Sequence, residues 1–344
     1  MTGHPRFPAL PPTPGGTLCI PHERDALLDF KAGLTIPGNF MSDWRGVECC
    51  GWWGVICSKR TGHVIMLQLN SGMPYEHPLG GEIRPSLLTL RHLKQLDLSG
   101  NDFGTKPIPS FIGALGRGSL THLDLSRSNF GGRIPPHLGN LSNLVSLQLG
   151  YMANGSYSPD LVWVSRLRKL QDLGIYRVDL SAAVDWLHSI NMIPCLTDLD
   201  LSYCALPNSM SPPAHSNLTM LHTLNLESNS FNTSLGAKNL LWDLPSLQNL
   251  FLTGCGIDGP IPDAVGNLTS IHKLYLGSNK FTGMVPLTFR KLHKLQELTL
   301  DTNFIIMEMP ELVHRLKQIS SLVAIDLDNN ELSGEMKPMK LSKP

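Results

Sequence analysis

The chain has 344 residues, a length that suits two or three ordinary domains, and 42% of them are apolar. Lys plus Arg balances Asp plus Glu at 28 each, so no electrostatic case exists for a nucleic-acid or anionic-membrane partner. No run of about 18 apolar residues occurs, and nothing in the sequence reads as a membrane span.

Residues 1–18, MTGHPRFPALPPTPGGTL, are Pro-rich and have no apolar stretch of the kind a signal peptide needs. They are predicted to be a disordered leader. Residues 19–62 form a separate cap module. Ala26, Leu27, Phe30 and Leu34 recur at helical spacing and predict an amphipathic helix that covers one end of the fold. Trp44, Trp52 and Trp53 supply apolar cover for the first strand. Cys19, Cys49, Cys50 and Cys57 have no His at ligand spacing beside them, which argues against a metal site.

From residue 63 to 334 one pattern recurs: L-x-x-L-x-L, then a turn position eight residues after the start, then an apolar residue two further on. Copies start at Leu93, Leu120, Leu144, Leu170, Leu196, Leu221, Leu247, Ile271, Leu295 and Leu322. Their spacing of 24 to 27 residues lies in the leucine-rich repeat range. A less regular copy, Val64, Leu67 and Leu69, precedes them, giving about 11 repeats. Alternating leucines predict a short strand with one buried face. A single unit cannot bury its leucines alone, so the copies must stack.

The turn position holds Asn101, Asn229, Asn279, Asn303 and Asn330, whose amides can bond the backbone of a bend. Ser128, Met152, Val178, Cys204 and Cys255 occupy it elsewhere, and the turns at Met152 and Val178 are expected to be less regular. Cys204 and Cys255 stand two repeats apart, too far to pair. Together with Cys195 they are expected to be buried thiols. The apolar slot after the turn runs from Phe103 and Phe130 to Leu332, with Asn154 the exception.

Five N-x-[ST] sequons occur, at Asn140, Asn154, Asn217, Asn232 and Asn267. Asn140, Asn217 and Asn267 each sit four residues before a repeat start, which puts them in one phase and away from the strands. Repeated phase together with the cap cysteines argues for the secretory route and for glycosylation. The last copy runs into residues 335–344, a tail without a closing cap, and the chain reads as cut short at both ends.

No G-x-S-x-G, H-E-x-x-H, Walker or kinase signature is present, and the 13 His are scattered. The acids between strand leucines, Asp97, Asp124, Asp200 and Asp326, read as a solvated face. Neither an enzyme, a cofactor nor a metal is expected.

The G-x-I-P form of the repeat, as in Gly132–Pro135 and Gly259–Pro262, resembles the plant-specific leucine-rich repeat. The cap, the stretch Leu96–Leu115 and above all Asp160–Leu206 resemble plant leucine-rich repeat receptor-like proteins of the xylanase-elicitor-receptor and apple-scab-resistance type. That resemblance implies an α/β solenoid: a horseshoe with a concave parallel sheet, short helical or irregular convex segments, and a disulfide-bonded N-terminal cap paired Cys19–Cys49 and Cys50–Cys57. It implies a cell-surface ectodomain at the plasma membrane that binds a protein, peptide or elicitor. Such proteins signal through a partner co-receptor kinase in defence, and their membrane attachment comes from a segment absent from this chain. A complete chain of this length would instead be secreted or mis-targeted. The competing reading is a secreted inhibitor of microbial cell-wall-degrading enzymes, similar to the plant polygalacturonase inhibitors.

The residue seven after each repeat start is Tyr151, Arg177 and Tyr203 in three successive copies, with Tyr176 beside Arg177. In-register strands would stand these in a row about 4.8 Å apart. A guanidinium between two phenol rings is a cation–π stack, and Tyr and Arg dominate binding hot spots. Phe251 and Tyr275 form a second adjacent pair between strand leucines. Both groups are candidate ligand contacts.

Overall fold

The computed structural model describes residues 19–70, 78–208, 216–234, 236 and 239–334. The leader and tail read from the sequence lie outside the described residues. The chain divides into two compact units, residues 1–156 and 157–344.

In the first unit the cap helix spans Pro21–Gly33 and buries Glu23, Ala26, Leu27 and Phe30. Leu34 does not belong to it. It lies in a two-residue strand paired antiparallel with Gly80–Gly81, because the helix ends where the chain turns into that pairing. The disulfides are Cys19–Cys49 and Cys50–Cys57. Trp44 stacks on Trp52 at 5.3 Å between centroids, both buried, while Phe40 packs on Trp53 at 4.3 Å. Each indole N–H of Trp44 and Trp52 finds a carbonyl, on Trp53 and Arg45.

Strand Val55–Cys57 pairs antiparallel with Val64–Gln68, after which the pairings along that sheet are parallel: Gln95–Asp97, His122–Asp124 and Ser146–Gln148 follow in order. Leu67, Leu96, Leu123 and Leu147 stand side by side in that register, all buried. Glu23 locks the cap to the first of these strands. Its Oε2 accepts the Val64 N–H at 2.7 Å and its Oε1 lies 2.9 Å from His63 Nδ1, so a fully buried carboxylate has both oxygens satisfied.

The second unit repeats the arrangement. Asp172–Gly174, Asp198–Asp200, Thr223–Asn225, Asn249–Phe251, Lys273–Tyr275, Glu297–Thr299 and Ala324–Asp326 pair in parallel and in register, with Leu199, Leu224, Leu250, Leu274 and Leu298 aligned. A second parallel sheet, Asp258–Pro260, Lys280–Gly283, Phe304–Glu308 and Glu331–Ser333, runs through the later half of these repeats, where only helical or irregular segments were expected. Short helices such as Asp263–Asn267 and Leu287–Lys291 return the chain. In the last described copy Ile325 is 43% exposed, since the described residues supply no neighbour on that side.

The turn side chains tie repeat to repeat. Asn279 Nδ2 donates to the carbonyls of Leu252 and Leu276, while its Oδ1 accepts the N–H of Cys255 and of Ile257. Asn229 does the same for Leu201, Leu226, Cys204 and Leu206, and Asn303 for Leu276, Leu300 and Phe281. Cys204 and Cys255 keep the donor half of that role through Sγ–H to the Ile175 and Leu226 carbonyls, at 2.8 and 3.1 Å. Burial pushes both thiols up to about 12, so they stay protonated and able to donate. Lacking an acceptor arm, these copies let their own backbone carbonyls serve: Cys204 O takes the Leu180 N–H and Cys255 O the Phe231 N–H. Cys195 is free like the other two but only half-buried, because it precedes the strand beside exposed Pro194.

Leu250 sits fully buried at the middle of this register. Leu250→Ala is expected to cost about 2–5 kcal/mol in denaturant unfolding. A loss below about 0.5 kcal/mol would contradict the register.

Candidate functional site

The outward side chains of each strand are followed, at the seventh residue after the repeat start, by a residue with left-handed backbone. Gly100, Arg127, Tyr151, Arg177, Tyr203, Ser228, Gly254, Ser278, Thr302 and Asn329 occupy it, with φ between 51° and 71°. Glycine takes this conformation freely, and Asn tolerates it, but a side chain with a full Cβ pays about 1 kcal/mol or more. Four successive copies nonetheless place Arg, Tyr, Arg and Tyr here. The turns at Tyr151 and Arg177 keep the same φ as their neighbours, contrary to the irregularity expected beside Met152 and Val178. The departure falls later in the Tyr151 copy, where Ala153 rather than the tenth residue fills the apolar slot and its N–H bonds the Phe130 carbonyl.

Cation–π contacts result. In the first unit the Arg127 guanidinium lies 5.0 Å from the centre of the Tyr151 ring, and in the second Arg177 lies 5.0 Å from that of Tyr203. Tyr151 is 42% and Tyr203 52% exposed, so each pair presents a ring and a charge to solvent. Tyr176 is half-buried beside Arg177. Arg127 was not singled out from the sequence, although it stands at the same phase of the Leu120 copy.

Phe251 and Tyr275 are in register on adjacent strands, edge to face at 5.0 Å. The Tyr275 hydroxyl donates to Glu297, which also meets Lys273 Nζ at 2.9 Å. The hydrogen bond from Tyr275, then that from Lys273, hold the Glu297 carboxyl below its ordinary value, and the same contact to Glu297 raises the Tyr275 phenol. On the other side of Phe251, burial pushes Glu227 above the usual carboxylate range, opposed by a bond from the Thr253 hydroxyl and reinforced by the charge on Asp200.

The acids between strand leucines are more than a solvated face. Asp97, Asp124 and Asp200 each accept, through Oδ1, the peptide N–H two residues on, at 2.8–2.9 Å, and so close the strand end before the left-handed turn. The five sequon asparagines are all exposed, Asn140 and Asn267 at the last positions of short helices. The cysteine sulfurs of Cys19, Cys49 and Cys50 cluster because they form the cap disulfides. Among the described residues no helix is long and apolar enough to cross a membrane.

The left-handed position generates a stability prediction. Tyr203→Gly is expected to unfold at higher denaturant than Tyr203→Ala, by about 1 kcal/mol, because both lose the ring but only glycine relieves the backbone. Equal stability, or a more stable Ala variant, would contradict the strain assigned here.

Residues 20–58 match the family description "Leucine rich repeat N-terminal domain", and residues 92–115, 119–141 and 246–268 match "Leucine Rich Repeat". The chain is 38% identical over 267 residues to receptor-like protein EIX1 of Solanum lycopersicum, covering 73% of this chain and 25% of that protein. It is 39% identical over 332 residues to receptor-like protein EIX2 of the same species, covering 93% of this chain and 32% of that protein. The chain therefore spans about a third or less of the length of these relatives. The crystal structure of PEPR1–AtPEP1 shares the fold at a TM-score of 0.57 and 23% identity, over 92% of this chain and 49% of that one. Cap, repeats and relatives together place the chain in the plant family of leucine-rich repeat receptor-like proteins.

Proposed function

We propose that this chain is the ligand-recognising part of a plant cell-surface receptor, one that binds a protein, peptide or elicitor on its strand face and signals in defence through a partner receptor kinase. The observation that carries the reading is the run Arg127, Tyr151, Arg177, Tyr203. These large side chains stand at a position where other copies use Gly, Ser, Thr or Asn, and they occupy it at a backbone cost. A cost retained in four successive copies is intelligible when the side chains are displayed to a partner, because rings and guanidinium groups contribute most at binding surfaces. A cation–π pair adds roughly 0.5–2 kcal/mol once a partner desolvates it. In the second unit Phe251, Tyr275 and Tyr176 lie on the strand face that also carries Arg177 and Tyr203, and Asn140, Asn154, Asn217, Asn232 and Asn267 are read as glycan acceptors in a secreted, extracellular protein. We read it as a binding protein because its surface offers exposed rings and guanidinium groups.

The test begins with a ligand found by screening elicitor proteins and peptides against the secreted protein. Tyr151→Ala, Arg177→Ala and Tyr203→Ala are each expected to weaken it about threefold or more, with Lys291→Ala, in the short helix Leu287–Lys291, as the unaffected control. Wild-type affinity in all three row variants would overturn the assignment.

A further inference from the structure

The outward strand positions of the second unit differ in character from the neutral balance of the whole chain. Carboxylates stand at Asp172, Asp198, Asp200, Glu227, Glu297 and Asp301, whereas Lys273 is the one amine at these positions and already pairs with Glu297. The aromatic pair lies in the middle of them. Strand register puts Asn225 against Phe251, Phe251 against Tyr275, and Tyr275 against Thr299. Glu227 therefore belongs to the copy beside Phe251, and Asp301 to the copy beside Tyr275. Gly277 makes room on that second side: a Cβ there would lie 2.1 Å from Asp301 Oδ1, so the carboxylate rests over bare backbone next to the tyrosine.

An apolar ring edge flanked on both sides by carboxylates is a poor surface for an anion or a neutral apolar chain. It suits a flexible alkyl or guanidinium side chain, whose stem packs on the rings while its head meets the acids. The protein makes a related contact within itself, Arg177 on Tyr203. Parallel strands leave this face continuous from one repeat to the next, which matches the reach of an extended peptide.

Resting on the receptor reading above, we propose that the strand face of the second unit binds a basic peptide segment, with a lysine or arginine side chain seated on Phe251 and Tyr275 between Glu227 and Asp301. Acidification would weaken such binding early, because the half-buried Glu227 loses its charge above the pH at which an ordinary glutamate does.

The test uses three fluorescent peptides of about twelve residues, built from Gly-Ser-Arg, Gly-Ser-Gln or Gly-Ser-Glu triplets, and fluorescence anisotropy with the whole chain. The Arg peptide is expected to bind, more weakly as salt rises from about 50 to about 150 mM, with the Gln and Glu peptides at least about tenfold weaker. Phe251→Ala with Tyr275→Ala should lower its affinity about tenfold, and Glu227→Gln with Asp301→Asn by a similar factor. Asp258→Asn with Asp263→Asn, which removes the same charge away from these strands, should leave it unchanged. Circular dichroism confirms that each variant is folded, and Tyr275→Phe, which keeps the ring, should retain most of the affinity if Tyr275→Ala proves unstable. Equal binding of the Glu peptide, no binding of the Arg peptide, or equal effects of the strand-face and control variants would overturn the proposal. If it falls while Tyr151→Ala, Arg177→Ala and Tyr203→Ala still lose a screened ligand, the ligand is not basic and the receptor reading stands. If those variants also keep their ligand, both fall.

Discussion

The structure depends on where the peptide groups go at the bend after each strand. A chain that leaves a parallel sheet there cannot continue its ladder, and a buried N–H or carbonyl left without a partner costs about 1–3 kcal/mol. One asparagine settles the account at two levels. Its amide nitrogen closes the carbonyls of its own repeat and the one before, and its oxygen takes two N–H groups of the preceding turn, as Asn279 does for Cys255 and Ile257. Because these partners lie in its own repeat and the one before, a repeat that carries the asparagine cannot shift register without breaking bonds to that neighbour. Hydrophobic stacking makes the leucines adhere, but it is non-directional, and these directional bonds select which leucine faces which.

The same turn explains the display of side chains. Closing the bend requires left-handed backbone at the residue just before the asparagine, and that residue points away from the leucine core. Most copies fill it with small or turn-tolerant types. Where Arg and Tyr stand instead, stacking between neighbouring copies, Arg127 on Tyr151 and Arg177 on Tyr203, returns part of the conformational cost. The strain and the exposed surface thus have a common origin in the turn geometry.

Much of this was legible in the sequence because it repeats. The middle leucines of the L-x-x-L-x-L pattern assigned from spacing, Leu199, Leu224, Leu250, Leu274 and Leu298, stand in register as expected, and the aromatic pair Phe251–Tyr275 follows from the same count. What escaped was decided by contacts outside a single repeat. Glu23 looks like one more charge on an exposed helix until the cap folds onto Val64 and His63. The second sheet arises only when the segments that follow the turn in consecutive copies, such as Lys280–Gly283 and Phe304–Glu308, come side by side. Ala153 replaces the tenth residue as the buried one because, with Met152 at the turn, the chain bonds back to Phe130 instead. Cys195 lies just outside the strand, where burial fades. Arg127 was readable in principle, at the same phase as Tyr151, and shows that the pattern of Arg and Tyr is longer by one copy than the three aromatic and basic residues suggest.

Amide hydrogen exchange read by NMR tests the central claim that a side chain of one repeat satisfies the backbone of the one before. The Cys255 and Ile257 N–H groups should exchange among the slowest amides of the wild-type chain. In Asn279→Ala they should exchange at least about tenfold faster, while the strand amides of Leu224 and Leu250 keep their protection. Unchanged protection of Cys255 and Ile257 in that variant would show that the turn is held by something other than the asparagine, and would contradict the account.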